Sequence, residues 1–364
     1  MFKNEVSEFI YKRTYSRWIE EESRREDWPE TIERFLNFII SERPDIPVKT
    51  QEKIRKYMTE FAVMPSMRFL WAAGPAAKAD NTCIYNCSFA KINSVEAFAE
   101  CLYILMCGTG FGFSVESEEV EKLPVIPEIK SGQAIKKVMI EDSKKGWADS
   151  VKTLMDSLYK GQNIYFDYSA IRLEGARLMT MGGRASGPQP LIKLHDFIRE
   201  TMHNAQGRRL TTLECHDICN QIAEIVVVGG VRRSSQISLS DLQDTDMRHA
   251  KEWPFPIKRA MANNSAIYRE KPSAADFLKE WGSLALSGTG ERGIFNLEAA
   301  QSKAPSRRYS PKIQGTNPCG EIMLRDMQFC NLSEVVVRED DDLDTLLDKV
   351  ECATWLGVIQ SSFT

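Results

Sequence analysis

One five-residue stretch, Asn317-Pro318-Cys319-Gly320-Glu321, concentrates more chemistry than any other part of the chain. It presents an amide, a thiol and a carboxylate. The amide can hold a hydroxyl, the thiol can exchange a hydrogen atom, and the carboxylate can accept a proton. Pro318 fixes its own φ and Gly320 relaxes the backbone, so the stretch reads as a tight, shaped loop rather than helix or strand interior. Gly315-Thr316 lead into it, and Cys330-Asn331-Leu332 begin eleven residues after Cys319.

Other suggestive spacings carry less. Gly288-Thr-Gly290-Glu-Arg-Gly293 fits GxGxxG, but a dinucleotide loop must follow a strand and open a helix. This one follows a helical pattern ending at Ser287 and runs into Ile294-Phe295, which reads as a strand start. Gly108-Thr-Gly110-Phe-Gly112 lacks the third glycine at that offset, and GxxxxGK[ST] occurs nowhere. Cys215-His-Asp-Ile-Cys219 offers zinc-type ligands on one helix face, with no second pair to complete a tetrahedron. Cys83 and Cys87 have the same gap. Buried thiols are the plainer reading of Cys101, Cys107, Cys215, Cys219 and Cys352, and no metal site is expected.

The elements that must hold the loop alternate in character. Residues 1 to 64 read as a helical segment, with Phe9, Ile10, Trp18, Ile19, Phe35, Leu36 and Ile39 at helical spacing. Beyond it, strands are expected at Cys83–Ile92, Phe111–Val115, Gln236–Leu239 and Glu334–Val337. Helices are expected at Val95–Met106, Leu191–Ala205, His216–Val228 and Ala274–Ser287. Strands alternating with helices predict an α/β fold with a parallel, helix-covered sheet or barrel over 65–364. The chain's last residues, Trp355 to Thr364, read as an amphipathic helix without a terminator, as in a fragment or one half of a split protein.

Composition sets the outer bounds. The 364 residues are 43% hydrophobic and 27% charged, enough to bury a sizeable core. A net charge of −4 gives no electrostatic reason to expect nucleic acid or an anionic membrane as partner. No apolar run reaches the roughly 18 residues of a membrane span and the N-terminus lacks a signal-peptide core, so a cytoplasmic location is expected. Nine cysteines are an odd count, and in a reduced compartment they read as thiols before disulfides.

Asn-Pro-Cys-Gly-Glu followed by Cys-Asn-Leu resembles the finger loop of ribonucleotide reductases, here residues 315–322. Further motifs follow in the family's order: Asn86-Cys87-Ser-Phe89, Cys107 to Ser114, Gly229-Gly230-Val-Arg232-Arg233-Ser234, Asn263-Asn-Ser265 and Gly288 to Phe295. Ile140 to Asp149, Phe166 to Arg172 and Gly182 to Pro188 are similar to the adenosylcobalamin-dependent class, and within it to the monomeric ribonucleoside-triphosphate reductases. There an insertion, here about 115–240, builds the effector site.

The resemblance implies the first part of a ten-stranded α/β barrel, with the finger loop threading its centre. It makes Cys319 the residue oxidised to a thiyl radical with adenosylcobalamin as cofactor. Glu321 becomes the base for the 3′-hydroxyl, and Asn317 the group that orients the substrate hydroxyls. Cys87 and Cys330 become the pair that supplies electrons and ends as a disulfide, with Cys83 a nearby rival for Cys87. That pair, 243 positions apart, must bring its Cα atoms within about 7 Å. Ser66, Asn86 and Gly110 match substrate-contacting positions, and Gly229, Gly230, Arg232 and Arg233 a loop that relays allosteric information. The implied partners are a ribonucleoside triphosphate, a dNTP effector, a thioredoxin-like reductant and a separate polypeptide carrying the barrel's C-terminal half, which this chain lacks. Competing readings are the large subunit of a di-iron-dependent diphosphate reductase, a truncated nucleotide-binding regulator, and a zinc-binding structural protein.

Overall fold

The computed structural model describes residues 2, 4–129, 136–178, 184–226, 234–307 and 312–363. It divides into two compact units: Met1–Asn86 with Cys330–Thr364, and Cys87–Phe329.

The first unit is mainly helical, with helices at Glu5–Thr14, Trp28–Glu42 and Val48–Thr59. Asp27 and Glu30 form a reciprocal capping box that starts the second of these, and its Phe35, Leu36 and Ile39 are fully buried. Trp18 and Ile19 depart from the helical expectation: they form a two-residue strand antiparallel to Arg24–Arg25. The cause is the buried Glu26. Its carbonyl takes the Ser16 hydroxyl and Lys12 ammonium, its carboxylate takes the Arg17 amide, and Arg34 pairs with it at 2.7 Å. These bonds turn the chain back before a helix can continue.

Residues 330–364 cluster with this unit, whereas the expected boundary lies at residue 64. Ser333–Val335 pairs antiparallel with Val63–Pro65, and the helix Leu343–Ser361 lies over that pair. The Gln360 amide donates to the Ile84 carbonyl at 2.7 Å and to the Ser66 hydroxyl at 3.1 Å, and the Tyr85 hydroxyl donates to the Phe363 carbonyl at 2.6 Å. The helix does terminate, at Ser361, with the Ser362 amide capping the Ile359 carbonyl.

The second unit is built on parallel strands β1 (Cys87–Lys91), β2 (Gly110–Ser114), β3 (Gln236–Asp241), β4 (Ala262–Tyr268) and β5 (Gly293–Asn296). They lie in the order β5-β4-β3-β2-β1, and a short strand whose residues Gln328 and Phe329 belong to this unit takes the edge beside β1. Helices Val95–Met106, Thr212–Ile225 and Ala274–Ser287 fall between successive strands, the βαβ order that parallel pairing requires. Helices Lys144–Tyr159 and Gln189–Asn204 flank a second, two-stranded parallel sheet of Lys136–Met139 and Ile164–Asp167. One face of the main sheet, with Phe111 and Phe113, is packed under Phe98, Leu102, Ile218 and Ile222. The α/β class and its parallel sheet match the expectation.

The other sheet face is set by strict alternation. Cys87, Phe89 and Lys91 on β1 are in register with Gly110, Gly112 and Ser114 on β2. Gly112 pairs with Ile237, and Ile237 with Asn263. That face receives the hairpin that carries Asn317–Glu321.

Candidate active site

The finger loop is the turn of a small hairpin. Gly315–Thr316 pairs antiparallel with Met323–Leu324, and residues 317–322 close the turn. Asn317 does most of the closing. Its amide donates to the Ile322 carbonyl at 3.3 Å, and its carbonyl accepts from the Gly320 amide at 3.0 Å. Its side-chain Oδ1 accepts from the Ile322 amide at 3.0 Å and from the Thr316 hydroxyl at 3.2 Å. Gly320 sits at φ +86°, a left-handed conformation that favours glycine.

The outcome is a graded exposure along the turn. Thr316, Asn317 and Pro318 are buried, while Cys319, Gly320 and Glu321 are exposed. The buried Asn317 leaves one polar atom unused: Nδ2 has no hydrogen-bond partner among the described residues. A buried N–H left unpaired costs about 1–3 kcal/mol.

Two glycines let the hairpin sit on the sheet. A Cβ on Gly112 would stand 2.2 Å from the Thr316 carbonyl oxygen, and a Cβ on Gly315 would stand 2.1 Å from the Phe89 ring. Gly112, inside strand β2, is thus a place of close backbone approach. Asn263 of β4, a site residue the sequence reading left without a role, is exposed on this face and donates a long 3.4 Å bond from its amide to the Pro318 carbonyl. Its signal was available: a polar, exposed residue in a strand whose other six positions are buried. Beside the hairpin lies a cleft of about 470 Å³ bounded by Ile294, Phe295, Ile313, Lys303, Gly320 and Met323.

The remaining site residues distribute unevenly. Gly110 shares the hairpin's unit, where its carbonyl accepts from the Ser88 hydroxyl at 3.1 Å and it lies in register with Cys87. Ser66, Asn86 and Cys330 fall in the other unit. Ser66 caps the helix Met67–Ala72 through the Phe69 amide at 3.1 Å, and the Asn86 amide donates to the Cys330 carbonyl at 3.1 Å. Gly229, Gly230, Arg232 and Arg233 lie outside the described residues.

The competing motifs resolve into structure. Gly288, at φ +68°, is the left-handed cap of the helix Ala274–Ser287. Arg292 is buried and bonds Glu280 at 2.6 Å together with the Ser240 hydroxyl and the Asp241 and Leu242 carbonyls. Arg248 reaches the same Glu280 at 2.7 Å. Burial raises the Glu280 carboxyl, but the hydrogen bonds from Arg292 and Arg248 outweigh it and hold the pKa below the usual carboxylate value. Cys101, Cys215 and Cys219 are wholly buried in the helix-side core, and burial pushes the Cys215 and Cys219 thiols up. Among the described residues no group of three or more His, Cys, Asp or Glu side chains is placed to hold a metal ion. No described helix is long and apolar enough to cross a membrane.

The chain is similar to known proteins along most of its length. The ribonucleotide reductase alpha domain matches residues 1–75, the insertion domain of B12-dependent ribonucleotide reductase residues 119–202, and the ribonucleotide reductase barrel domain residues 231–355. The adenosylcobalamin-dependent ribonucleoside-triphosphate reductase of Lactobacillus helveticus is 30% identical over 91% of this chain and 54% of its own. That of Levilactobacillus brevis is 27% identical, again over 91% of this chain and 54% of its own. A crystal structure of a B12-dependent (class II) ribonucleotide reductase superposes on 97% of this chain and 58% of its own, at 25% identity and a TM-score of 0.81. A class Id alpha subunit from Actinobacillus ureae shares the fold alone, at 12% identity and a TM-score of 0.53. The chain spans about half the length of the curated relatives it matches. The three ribonucleotide reductase domains match in chain order, and the insertion domain of the B12-dependent enzymes is among them, so along most of its length the chain is similar to the B12-dependent ribonucleotide reductases.

Proposed function

We propose that this chain carries the radical-bearing part of an adenosylcobalamin-dependent ribonucleoside-triphosphate reductase. The observation that carries the reading is the finger hairpin: an exposed thiol and carboxylate on a turn whose buried asparagine keeps its side-chain NH2 unspent. The match to the B12-dependent insertion domain favours this over a di-iron-dependent subunit.

Replacing a ribose 2′-hydroxyl by hydrogen first requires removal of the 3′ hydrogen atom, which no closed-shell side chain achieves. When bound, adenosylcobalamin supplies the organic radical that oxidises Cys319. The exposure of Cys319 at the turn fits a group that must reach the sulfur from outside. The Cys319 radical takes the 3′ hydrogen atom and later returns it. Glu321 accepts the 3′-hydroxyl proton while the 2′-hydroxyl leaves as water. Asn317 donates from Nδ2 to a substrate hydroxyl, and Gly110 leaves room for the ribose beside β1.

Cys87 and Cys330 each give one electron and one proton and end as a disulfide, so that one water and one deoxynucleotide form per pair oxidised. The bond from the Asn86 amide, next in chain to Cys87, to the Cys330 carbonyl supports that pairing. A thioredoxin-like dithiol re-reduces the pair. Ser66 and Asn86 contact substrate, and the Gly229–Arg233 loop relays a dNTP effector.

The test mixes this chain with the remaining reductase polypeptide, adenosylcobalamin, a dithiol and CTP, and measures dCTP. Cys319→Ala abolishes turnover on this reading. Turnover that persists in that variant overturns it.

A further inference from the structure

The tip of the finger hairpin contains one peptide that neither its strands nor Asn317 hold. The Asn317 carbonyl accepts from the Gly320 amide, so residues 317–320 form a β-turn with Pro318 and Cys319 at its centre. The central peptide of such a turn, here Pro318–Cys319, can face its carbonyl to either side, and the two orientations distinguish type I from type II. The pyrrolidine ring fixes φ of Pro318 and leaves its ψ to choose between them. Cys319 hangs on that peptide, so the choice decides where the thiol points.

The one hold on that carbonyl among the hydrogen bonds described above comes from outside the hairpin. The Asn263 side-chain amide of β4 donates to the Pro318 carbonyl at 3.4 Å. Asn263 is the single exposed position of β4 and lies in register with Ile237, which pairs with Gly112 under the hairpin. The bond is long, as bonds at a reaction centre often are before substrate tightens them.

The placement of Asn263 is itself braced. β4 pairs with β5 only from Ser265 onward, so Ala262, Asn263 and Asn264 lack a ladder partner on that side. An ion pair stands in for the ladder: Lys251 and Glu291 meet at 2.6 Å. The Lys251 ammonium donates to the Ala262 carbonyl, and the Glu291 carboxylate accepts from the Asn264 amide at 3.0 Å. Lys251 is buried, and burying a charge is costly unless it is paired. Here the pair grips the backbone on both sides of Asn263, the kind of support that a precisely placed side chain requires.

We propose that Asn263 is a positioning residue for Cys319: its amide holds the Pro318–Cys319 peptide in one orientation and so aims the thiol. The inference rests on the reading given under Proposed function.

The experiment uses Cys319, the exposed one among the nine cysteines, as its own reporter. The full chain is labelled there with bromotrifluoroacetone, and fluorine NMR spectra are recorded for the parent, Asn263→Ala, Asn263→Asp and Asn263→Gln. The alanine and aspartate variants remove the donor, and glutamine returns it on a longer arm. The expected result is one narrow line for the parent and for Asn263→Gln, and a shifted or split line for the other two. In the enzyme completed by the remaining reductase polypeptide, kcat with CTP falls about ten-fold or more in the alanine and aspartate variants. KM stays within about two-fold, and glutamine recovers most of the rate. Asn263 is exposed, so none of these changes opens the core. Unchanged kcat in Asn263→Ala overturns the proposal, and so does an unchanged fluorine line whatever the rate. A raised KM with kcat intact overturns it too, by making Asn263 a substrate-binding group. The two readings fail separately. Turnover that survives Cys319→Ala sinks the reductase mechanism, and turnover that needs Cys319 but ignores Asn263 sinks the positioning role alone.

Discussion

Asn317 has two jobs that one substitution can separate. Its Oδ1 closes the turn and its Nδ2 is the unspent donor. Asn317→Asp keeps an acceptor for the Ile322 amide and removes the donor. We expect the hairpin to survive it, with slow exchange at Ile322, while turnover of the completed enzyme falls about a hundred-fold or more. Asn317→Ala removes both roles and costs the hairpin about 1–3 kcal/mol as well. Full activity in the aspartate variant would show that Nδ2 serves no ligand. Much of this site was readable from residue types alone, because amide, thiol and carboxylate in one turn announce their chemistry. That Asn317 spends its side-chain oxygen on the Ile322 amide was not readable. A hydrogen-bond partner five residues away depends on the turn's actual dihedrals.

At the scale of elements, the hairpin and the sheet are fitted to each other through missing side chains. Gly315→Ala places a Cβ 2.1 Å from the Phe89 ring, whereas Gly112→Ala places one 2.2 Å from a backbone carbonyl. A ring can be shortened and a carbonyl cannot. We therefore expect each alanine variant to lose about 1–3 kcal/mol by denaturant unfolding and to lose turnover in the completed enzyme. Adding Phe89→Leu should recover part of both losses for Gly315→Ala and nothing for Gly112→Ala. Equal recovery in the two backgrounds would mean that the hairpin does not lie where these contacts put it. The sequence located most of these elements, the helix Val95–Met106 and the helix Ala274–Ser287 to the residue. It missed the strand at Trp18–Ile19, since the buried Glu26 that bends the chain there acts through tertiary bonds.

At the scale of the molecule, stability should carry a pH signature from two buried histidines. His195 sits between the Tyr168 hydroxyl at 2.7 Å and the Ser150 hydroxyl at 3.0 Å, and His216 lies against Asn220 at 2.9 Å. Burial drives both ring pKa values down to about 3. Unfolded imidazole titrates near 6.5, so between about pH 6.5 and 3 the unfolded chain binds more protons than the folded one. Stability is therefore full above pH 6.5 and falls as pH drops, by about 2 kcal/mol per ring at pH 5. Unfolding midpoints at pH 7 and 5 check this, and His195→Gln should remove about half of the histidine-dependent difference. An unchanged difference in that variant would mean that His195 accepts its proton without unfolding.

The sequence by itself determined the α/β class and the three chemical groups of the finger loop, and its motifs carried the resemblance to a family. Each rests on local information: residue type, spacing and periodicity. Only the tertiary structure decided that 330–364 folds with the N-terminal helices, that Gly112 and Gly315 are contact points rather than hinges, and that the Gly288–Gly293 loop contributes Arg292 to a buried ion triad with Glu280 and Arg248. It also decided which apolar residues remain uncovered. The helix Ala274–Ser287 reads in sequence like any amphipathic helix, and only the fold shows that Glu280 is its buried residue. These are properties of residues brought together from distant positions, and no local pattern encodes which partner a surface finds.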